Sequence, residues 1–311
     1  MQENLEYIEA KQKFDEYYHN TIIPSVQPLE KRRKKFLSYF ILICLVVICW
    51  VGLLITGKIP LKGNNYGFIL CMAVLGICAP MLFYYKQTKE SILPILVNFF
   101  GDFLYIYQPE LSEALLKKSL VMKQYDSLST DDGFEGTYNN IPVVITEYTR
   151  FRHREQKKDG ISRIIKQKKG HGIIFRAKMN KDFEGQTIIV RDKGFMNKFS
   201  HYKGMQRVGI EYPEFEKAYE VYSDNQIEAR YILTTVMIEY IMQLKNVFKA
   251  VEYSFFDNQV LINIEMKENF FECSSFFRTI INKKRLYKNF NQFHLLFSII
   301  HILHLHQNKL L

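Results

Sequence analysis

Two stretches of the chain, Phe36–Thr56 and Tyr66–Tyr85, contain no charged residue. At about 1.5 Å of rise per residue, each makes a helix of roughly 30 Å, the thickness of a bilayer's hydrocarbon core. Core helices of soluble proteins rarely run that far without a charge, so the pattern predicts two membrane spans. The first begins too far into the chain, and runs too long, to read as a removable signal peptide. Upstream, Leu5, Ile8, Phe14 and Tyr18 recur among charges, predicting an amphipathic helix that Pro24 and Pro28 end. Downstream, Ile92, Ile95, Leu96, Phe99, Phe103 and Ile106 form one helical stripe. This predicts a membrane-proximal amphipathic helix within a stalk over 86–120. A third span there is the rival reading; Pro94, Asp102 and the short length oppose it.

From Phe134 the period shifts toward strands. "GFEGTYNNIPVVITEY" (133–148) reads as strand, Asn139-Asn140 turn, strand, and "VEYSFFDNQVLINIEM" (251–266) as a hairpin about Asp257-Asn258. Gly172–Met179 and Gln186–Asp192 suggest another pair. Pro213 opens a short helix, and Ser223–Asn246 reads as one long helix with a Ser223/Gln226 capping box and Ile227, Tyr231, Ile238 and Met242 on its apolar face. Short turns between strands favour an antiparallel sheet.

The predicted fold class is therefore α+β: a two-helix transmembrane hairpin, then a cytosolic domain with a largely antiparallel sheet and flanking helices. Its parts are an N-terminal amphipathic segment with a basic flank (1–35), the hairpin (36–85), the stalk (86–120) and the α+β domain ending in a C-terminal amphipathic helix (121–311).

Charge sets the orientation. Lys31, Arg32, Arg33, Lys34 and Lys35 precede the first span, Lys86 and Lys89 follow the second, and the connection holds only Lys58 and Lys62. The positive-inside rule then puts both termini in the cytoplasm and makes the protein a multi-pass component of a plasma (inner) membrane. Of five cysteines, Cys44, Cys49, Cys71 and Cys78 lie within the spans and Cys273 stands alone. That is no disulfide framework, as a reducing compartment requires.

"PSVQPLEKRRKKF" (24–36), "YDSLSTDDGFEG" (125–136) and above all "FEKAYEVYSDNQIEARYIL" (215–233) resemble a bacterial two-span membrane protein family, domain of unknown function 3137. In the last segment Phe215, Tyr222, Asp224, Gln226, Glu228, Ala229 and Arg230 carry the likeness, which covers most of the chain except roughly the last forty residues. The resemblance implies the same layout and brings no activity.

Arg150–Gly170 is the strongest electrostatic feature. Arg150, Arg152, Arg154, Lys157, Lys158, Arg163, Lys166, Lys168 and Lys169 face only Glu155 and Asp159, giving seven of the chain's ten net positive charges. Lying between strands, the segment is expected to be a surface loop. It suits anionic lipid headgroups, at about 1 kcal/mol per cation near the surface; the bland alternative is a solvated loop. Nucleic acid is disfavoured, since no recognition motif accompanies the charge.

Asp131, Asp132 and Glu135 form an acidic cluster that reads better as a turn than as a cation site, and Asp224 with Glu228 reads better as helix-start electrostatics than as an acid–base pair. His294, His301, His304 and His306 tempt a metal reading. However, His294 and His301 are about 10.5 Å apart along a helix, too far for one ion. No metal or cofactor is expected.

Phosphate-loop, H-E-x-x-H, C-x-x-C and G-x-S-x-G motifs are missing. The first expectation is a non-enzymatic membrane protein presenting an interaction or lipid-binding domain, with a protein partner or a second copy as further options. The alternative is an enzyme acting on a membrane-associated substrate through acids near Asp131 and Asp224.

Overall fold

The computed structural model describes residues 2–56, 81, 84, 88–122, 125–158, 161–180, 182–192, 194, 202–266 and 276–307. The chain divides into two compact units, Met1–Phe99 with Phe271–Phe290, and Phe100–Phe270 with Asn291–Leu311.

The first unit is helical. Helix α1 (Gln2–Tyr17) passes through a wider π-helical turn (Tyr18–Ile22) into α2 (Ile23–Ile55). Pro24 and Pro28 therefore do not end the helix, contrary to the sequence expectation. The π turn sits where Pro24 has no N–H to give to the preceding turn, and such bulges accommodate that defect. A further helix, α3, covers 88–97. The core forms around Phe14, fully buried and stacked on Phe290 at 4.3 Å, with the edges of Tyr287 and Phe99 at 5.2 and 5.3 Å. The Tyr17 hydroxyl donates to the Ile95 carbonyl at 2.8 Å, which ties α1 to α3.

Beyond Phe40 the character of α2 changes. Ile41, Leu42, Leu45, Val46, Ile48, Val51 and Leu53 are all exposed, and the helix is long and apolar enough to cross a membrane, with none of its most apolar window buried. It is one candidate span among the described residues. The second predicted span, Tyr66–Tyr85, lies outside them except for Met81 and Tyr84.

The second unit is built on a nine-stranded sheet in the order β1-β2-β3-β4-β9-β8-β5-β7-β6, every neighbouring pair antiparallel. The strands are β1 (Phe103–Tyr107), β2 (Ser127–Tyr138), β3 (Ile141–Lys158), β4 (Ile161–Lys178), β5 (Thr187–Arg191), β6 (Gln206–Val208), β7 (Tyr219–Ser223), β8 (Ala250–Phe256) and β9 (Gln259–Met266). Asn139 and Asn140 both take positive φ (49° and 61°), which matches the tight β2–β3 turn the sequence predicts, and Asp257 (φ 49°) begins the β8–β9 turn.

Three expectations are corrected. The predicted stalk helix gives way to strand at Phe103–Tyr107, where β1 forms the sheet's edge beside β2. Gly172–Met179 and Gln186–Asp192 do not pair: β4 lies between β3 and β9, and β5 between β8 and β7. The long helix predicted over Ser223–Asn246 is two helices, α6 (Gln226–Ile232) and α7 (Thr235–Val247). Ser223 ends β7, and Asn225 caps α6, its side chain accepting from the Ile227 and Glu228 N–H groups at 3.1 Å. The break at Leu233–Thr234 turns the apolar stripe, leaving Ile227 and Tyr231 exposed while Ile238 is buried.

Helix α4 (Glu113–Ser119) and the turn after it put Leu116, Val121 and Met122 against Tyr148, Ile174, Phe256 and Leu261. A short helix, α5 (Pro213–Glu216), starts with proline as predicted. The last helix, α8 (Lys283–Gln307), gives its first turns to the first unit and the rest to the second. There Phe297 meets Phe103 (5.4 Å), Tyr138 (4.7 Å) and Phe175 (5.9 Å), so one large ring seals the helix onto the sheet.

Candidate functional site

The basic segment is not a loop. β3 and β4 remain paired from Val143↔Ala177 to Lys158↔Ile161, with one register shift between Arg150 and Phe151. β2 reaches β3 only as far as Phe151, and β9 reaches β4 only as far as His171. Beyond those points, among the described residues, the segment continues as a two-stranded ribbon with no third strand on either edge. The residue types fit this: cations and other polar residues dominate the stretch, and its few isoleucines give a further strand little apolar surface to share.

At its root the ribbon is fastened. Arg150 approaches Glu265 at 3.4 Å, Arg152 pairs with Asp126 at 3.3 Å, Asp126 also accepts from the His153 N–H at 2.7 Å, and His153 bonds Ser127 Oγ at 2.9 Å. Two of the nine predicted cations thus serve the fold. Arg154, Arg163, Lys166, Lys168 and Lys169 are exposed and carry no ion pair among the described residues. The side chains of Lys157 and Lys158 lie outside them. Ile164 and Ile165 are exposed as well, at 74% and 45%. The charge count alone does not reveal them.

The acidic cluster changes membership. β2 carries an extra residue between Thr130 and Gly133, and this bulge sets Asp131 and Asp132 opposite Glu147 of β3. Carboxylate oxygens of these three lie within 4.8 Å of one another, with Asp132 and Glu147 buried and Asp131 exposed. Glu135, the third member expected from the sequence, is exposed on the strand beyond the bulge. The Tyr105 hydroxyl donates to Asp132. Carboxylates so close suit an oxygen-seeking divalent cation, and Asp131, Asp132 and Glu147 are the residues that could hold one.

Asp224 is a structural residue. Its carboxylate accepts from the Gln186 N–H at 2.6 Å, and it precedes the helix it was expected to share with Glu228. β2 and β7 are six strands apart in the sheet, about 29 Å at the usual interstrand spacing. Asp131 and Asp224 therefore cannot act on one substrate atom. A buried polar chain, Tyr148 hydroxyl to Asn263 (2.7 Å) and Asn263 to Glu252 (3.2 Å), lies under α4; burial holds the Tyr148 phenol far above its ordinary value. Tyr222 is pushed up to about 12 by burial and by the Glu220 carboxylate it donates to. Of the tail histidines, His294 and His301 lie on α8, and the side chains of His304 and His306 are outside the described residues.

Arg33, one of the five cations of the basic flank, is buried. It holds Glu30 through two bonds of 2.7 and 2.9 Å and donates to the Phe276 carbonyl at 3.0 Å, while the Ile280 N–H donates to Glu30 at 3.1 Å. Lys31, Arg32, Lys34 and Lys35 stay exposed.

Residues 169–305 match the family model described as protein of unknown function (DUF3137). The match includes "FEKAYEVYSDNQIEARYIL" and nearly all of α8, and leaves out the basic flank and "YDSLSTDDGFEG", which the sequence resemblance had included. The DUF3137 segment thus takes in β5 to β9 and most of β4, but neither α2 nor the acidic bulge. No curated protein matches the chain. Among solved structures, the mycobacterial trehalose monomycolate transport factor A is similar at 14% identity and a TM-score of 0.37, over 63% of this chain and 90% of that one.

Proposed function

We propose that the protein is an integral plasma-membrane protein of bacterial type that presents its α+β unit to the cytoplasmic surface, where it binds rather than catalyses. The apolar half of α2 and the stretch Tyr66–Tyr85 form the hairpin anchor, and both termini face the cytoplasm. The single observation that supports this most is the exposure of Ile41, Leu42, Leu45, Val46, Ile48, Val51 and Leu53 on one helix whose most apolar window has no buried residue. Each such side chain gains about 1.5–3 kcal/mol on leaving water, and a helix apolar on every side needs an apolar medium.

The basic ribbon is the proposed contact with anionic lipid headgroups. A protein partner or second copy is a further proposed contact of the domain, and nucleic acid is not. An enzymatic role on a membrane-associated substrate is the second reading; it rests on the Asp131–Asp132–Glu147 bulge alone, because Asp224 serves the fold.

The anchor is tested by alkaline extraction of membranes from cells expressing the full chain. The parent protein stays in the pellet. Leu42→Arg with Leu45→Arg, each costing about 2.5–3.5 kcal/mol at a span's centre, moves it to the soluble or aggregated fraction. Full release of the parent by alkali refutes the anchor.

A further inference from the structure

We infer that the ribbon meets the bilayer with one particular face, the one bearing Arg154, Arg163 and Ile165. This inference rests on the proposed contact with anionic lipid. It adds an orientation and a second recognition element, an apolar one.

Residues directly opposite in an antiparallel pair share a face, and faces alternate along each strand. The register pairs Arg152 with Gln167, Arg154 with Ile165 and Gln156 with Arg163, so these six lie on one side. Phe151 with Lys168, His153 with Lys166 and Glu155 with Ile164 lie on the other. Charge and apolar surface therefore occur on both faces, and the faces differ in their acids. Among those twelve residues the first face has no carboxylate. The second has Glu155 directly across from Ile164, where any contact of that isoleucine with headgroups would press a carboxylate against phosphates.

Apolar exposure alone points the other way, since Ile164 is 74% exposed and Ile165 45%. The acid decides, because a single isoleucine in water is ordinary whereas a carboxylate among phosphates is repelled. Among those six residues the cations are Arg152, Arg154 and Arg163, whose planar guanidinium grips a phosphate through paired bonds better than a lysine does. Asp126, at the root, is already paired with Arg152.

Two further facts favour lipid as the occupant. A two-stranded ribbon without a covering layer is marginally stable by itself, so a surface that supports one side has a structural consequence. A second copy is opposed by the segment's own excess of nine cations over two acids. End-on insertion is excluded, because Arg163 and Glu155 would have to go in no less deeply than Ile164 and Ile165. The ribbon lies along the headgroups, with Lys166 and Lys168 on the side that stays in water and guards the open edges.

The test uses the full chain reconstituted into vesicles, with Trp50→Phe removing the chain's one tryptophan and either Ile165→Trp or Ile164→Trp supplying a reporter on an exposed strand position. Lipids brominated just below the headgroup quench a tryptophan that enters that depth. The Ile165→Trp reporter shifts to the blue and loses at least half its emission in vesicles containing phosphatidylglycerol. It does neither in phosphatidylcholine alone, and the effect falls severalfold in 0.5 M salt, as screening requires. The Ile164→Trp reporter stays solvent-like in every vesicle. Arg154→Glu with Arg163→Glu abolishes the response at 165, whereas Lys166→Glu with Lys168→Glu retains most of it. Equal responses at 164 and 165, or a response in phosphatidylcholine alone, overturn the oriented contact. Silence at both positions, in protein that still resists alkaline extraction, overturns the ribbon's lipid role and leaves the anchor standing.

Discussion

Glu30 and Arg33 show what a charge count conceals. The run of five cations reads as one topological signal, yet its third member is turned inward, pairs with Glu30 and is bound to the backbone of Phe276. Removing the guanidinium leaves a buried carboxylate uncompensated, so Arg33→Ala is expected to destabilise the first unit by about 3–5 kcal/mol, read as faster proteolysis at 276–282 in the purified full chain. Burial pushes the Glu30 carboxyl up, but the Arg33 hydrogen bonds, the Ile280 N–H and the Arg33 charge together hold it below the usual carboxylate range. A carboxyl lowered in the folded state contributes stability above its unfolded value, about 4.3. That contribution is lost as pH falls through the folded value. Acidification below about pH 4 should therefore release the 276–282 segment, and Glu30→Gln should remove that acid-dependent step. In the other unit, Gly185 has φ +89° and the space for its Cβ is filled by the Asp224 carboxylate. Gly185→Ala should cost at least about 1–2 kcal/mol in urea unfolding, and Asp224→Ala, which loses a surface hydrogen bond, about 0.5–1.5 kcal/mol.

Among elements, legibility tracked how local the cause was. The Asn139-Asn140 turn lies in two residues that tolerate positive φ, and Pro213 fixes its own backbone angle, so both could be read from the sequence. Phe103–Tyr107 could not: its apolar stripe fits a helix by period, and it is a strand because β2 offers it a partner edge, a fact settled some thirty residues downstream. The basic ribbon failed as a loop for the same reason, since its pairing comes from β3 and β4 continuing each other and not from an apolar alternation. Glu147 joined the acidic cluster through a bulge, which no spacing rule announces. The sheet-to-helix joint in the second unit is carried by Phe297, fully buried against Phe100, Phe103, Tyr138 and Phe175. Phe297→Ala should lower the stability of that unit by about 3–5 kcal/mol, seen as a shift in denaturant midpoint at unchanged slope, whereas Leu104→Ala, at a side chain of the same unit that is 75% exposed, should change it little.

At the scale of the whole molecule the two roles of the basic flank can be separated, because the structure divides its residues. Among the described residues, Lys31, Arg32, Lys34 and Lys35 are exposed and their side chains make no ion pair, so under the proposed topology theirs are the charges available to set orientation. Arg33 is neutralised by Glu30 and contributes little to a surface potential. If the flank orients the protein by its exposed cations, replacing those four by Gln should weaken the cytoplasmic bias. A reporter fused after residue 307 should then show a mixed orientation while the 276–282 segment keeps its resistance to protease. Arg33→Gln should do the reverse, keeping the reporter cytoplasmic while that segment opens. A flank acting only as a sum of charges gives a different pattern, in which each of the five substitutions shifts the reporter by a similar step. Fold and address would then be carried by the same residues, and the inward turn of Arg33 would have no bearing on where the domain faces.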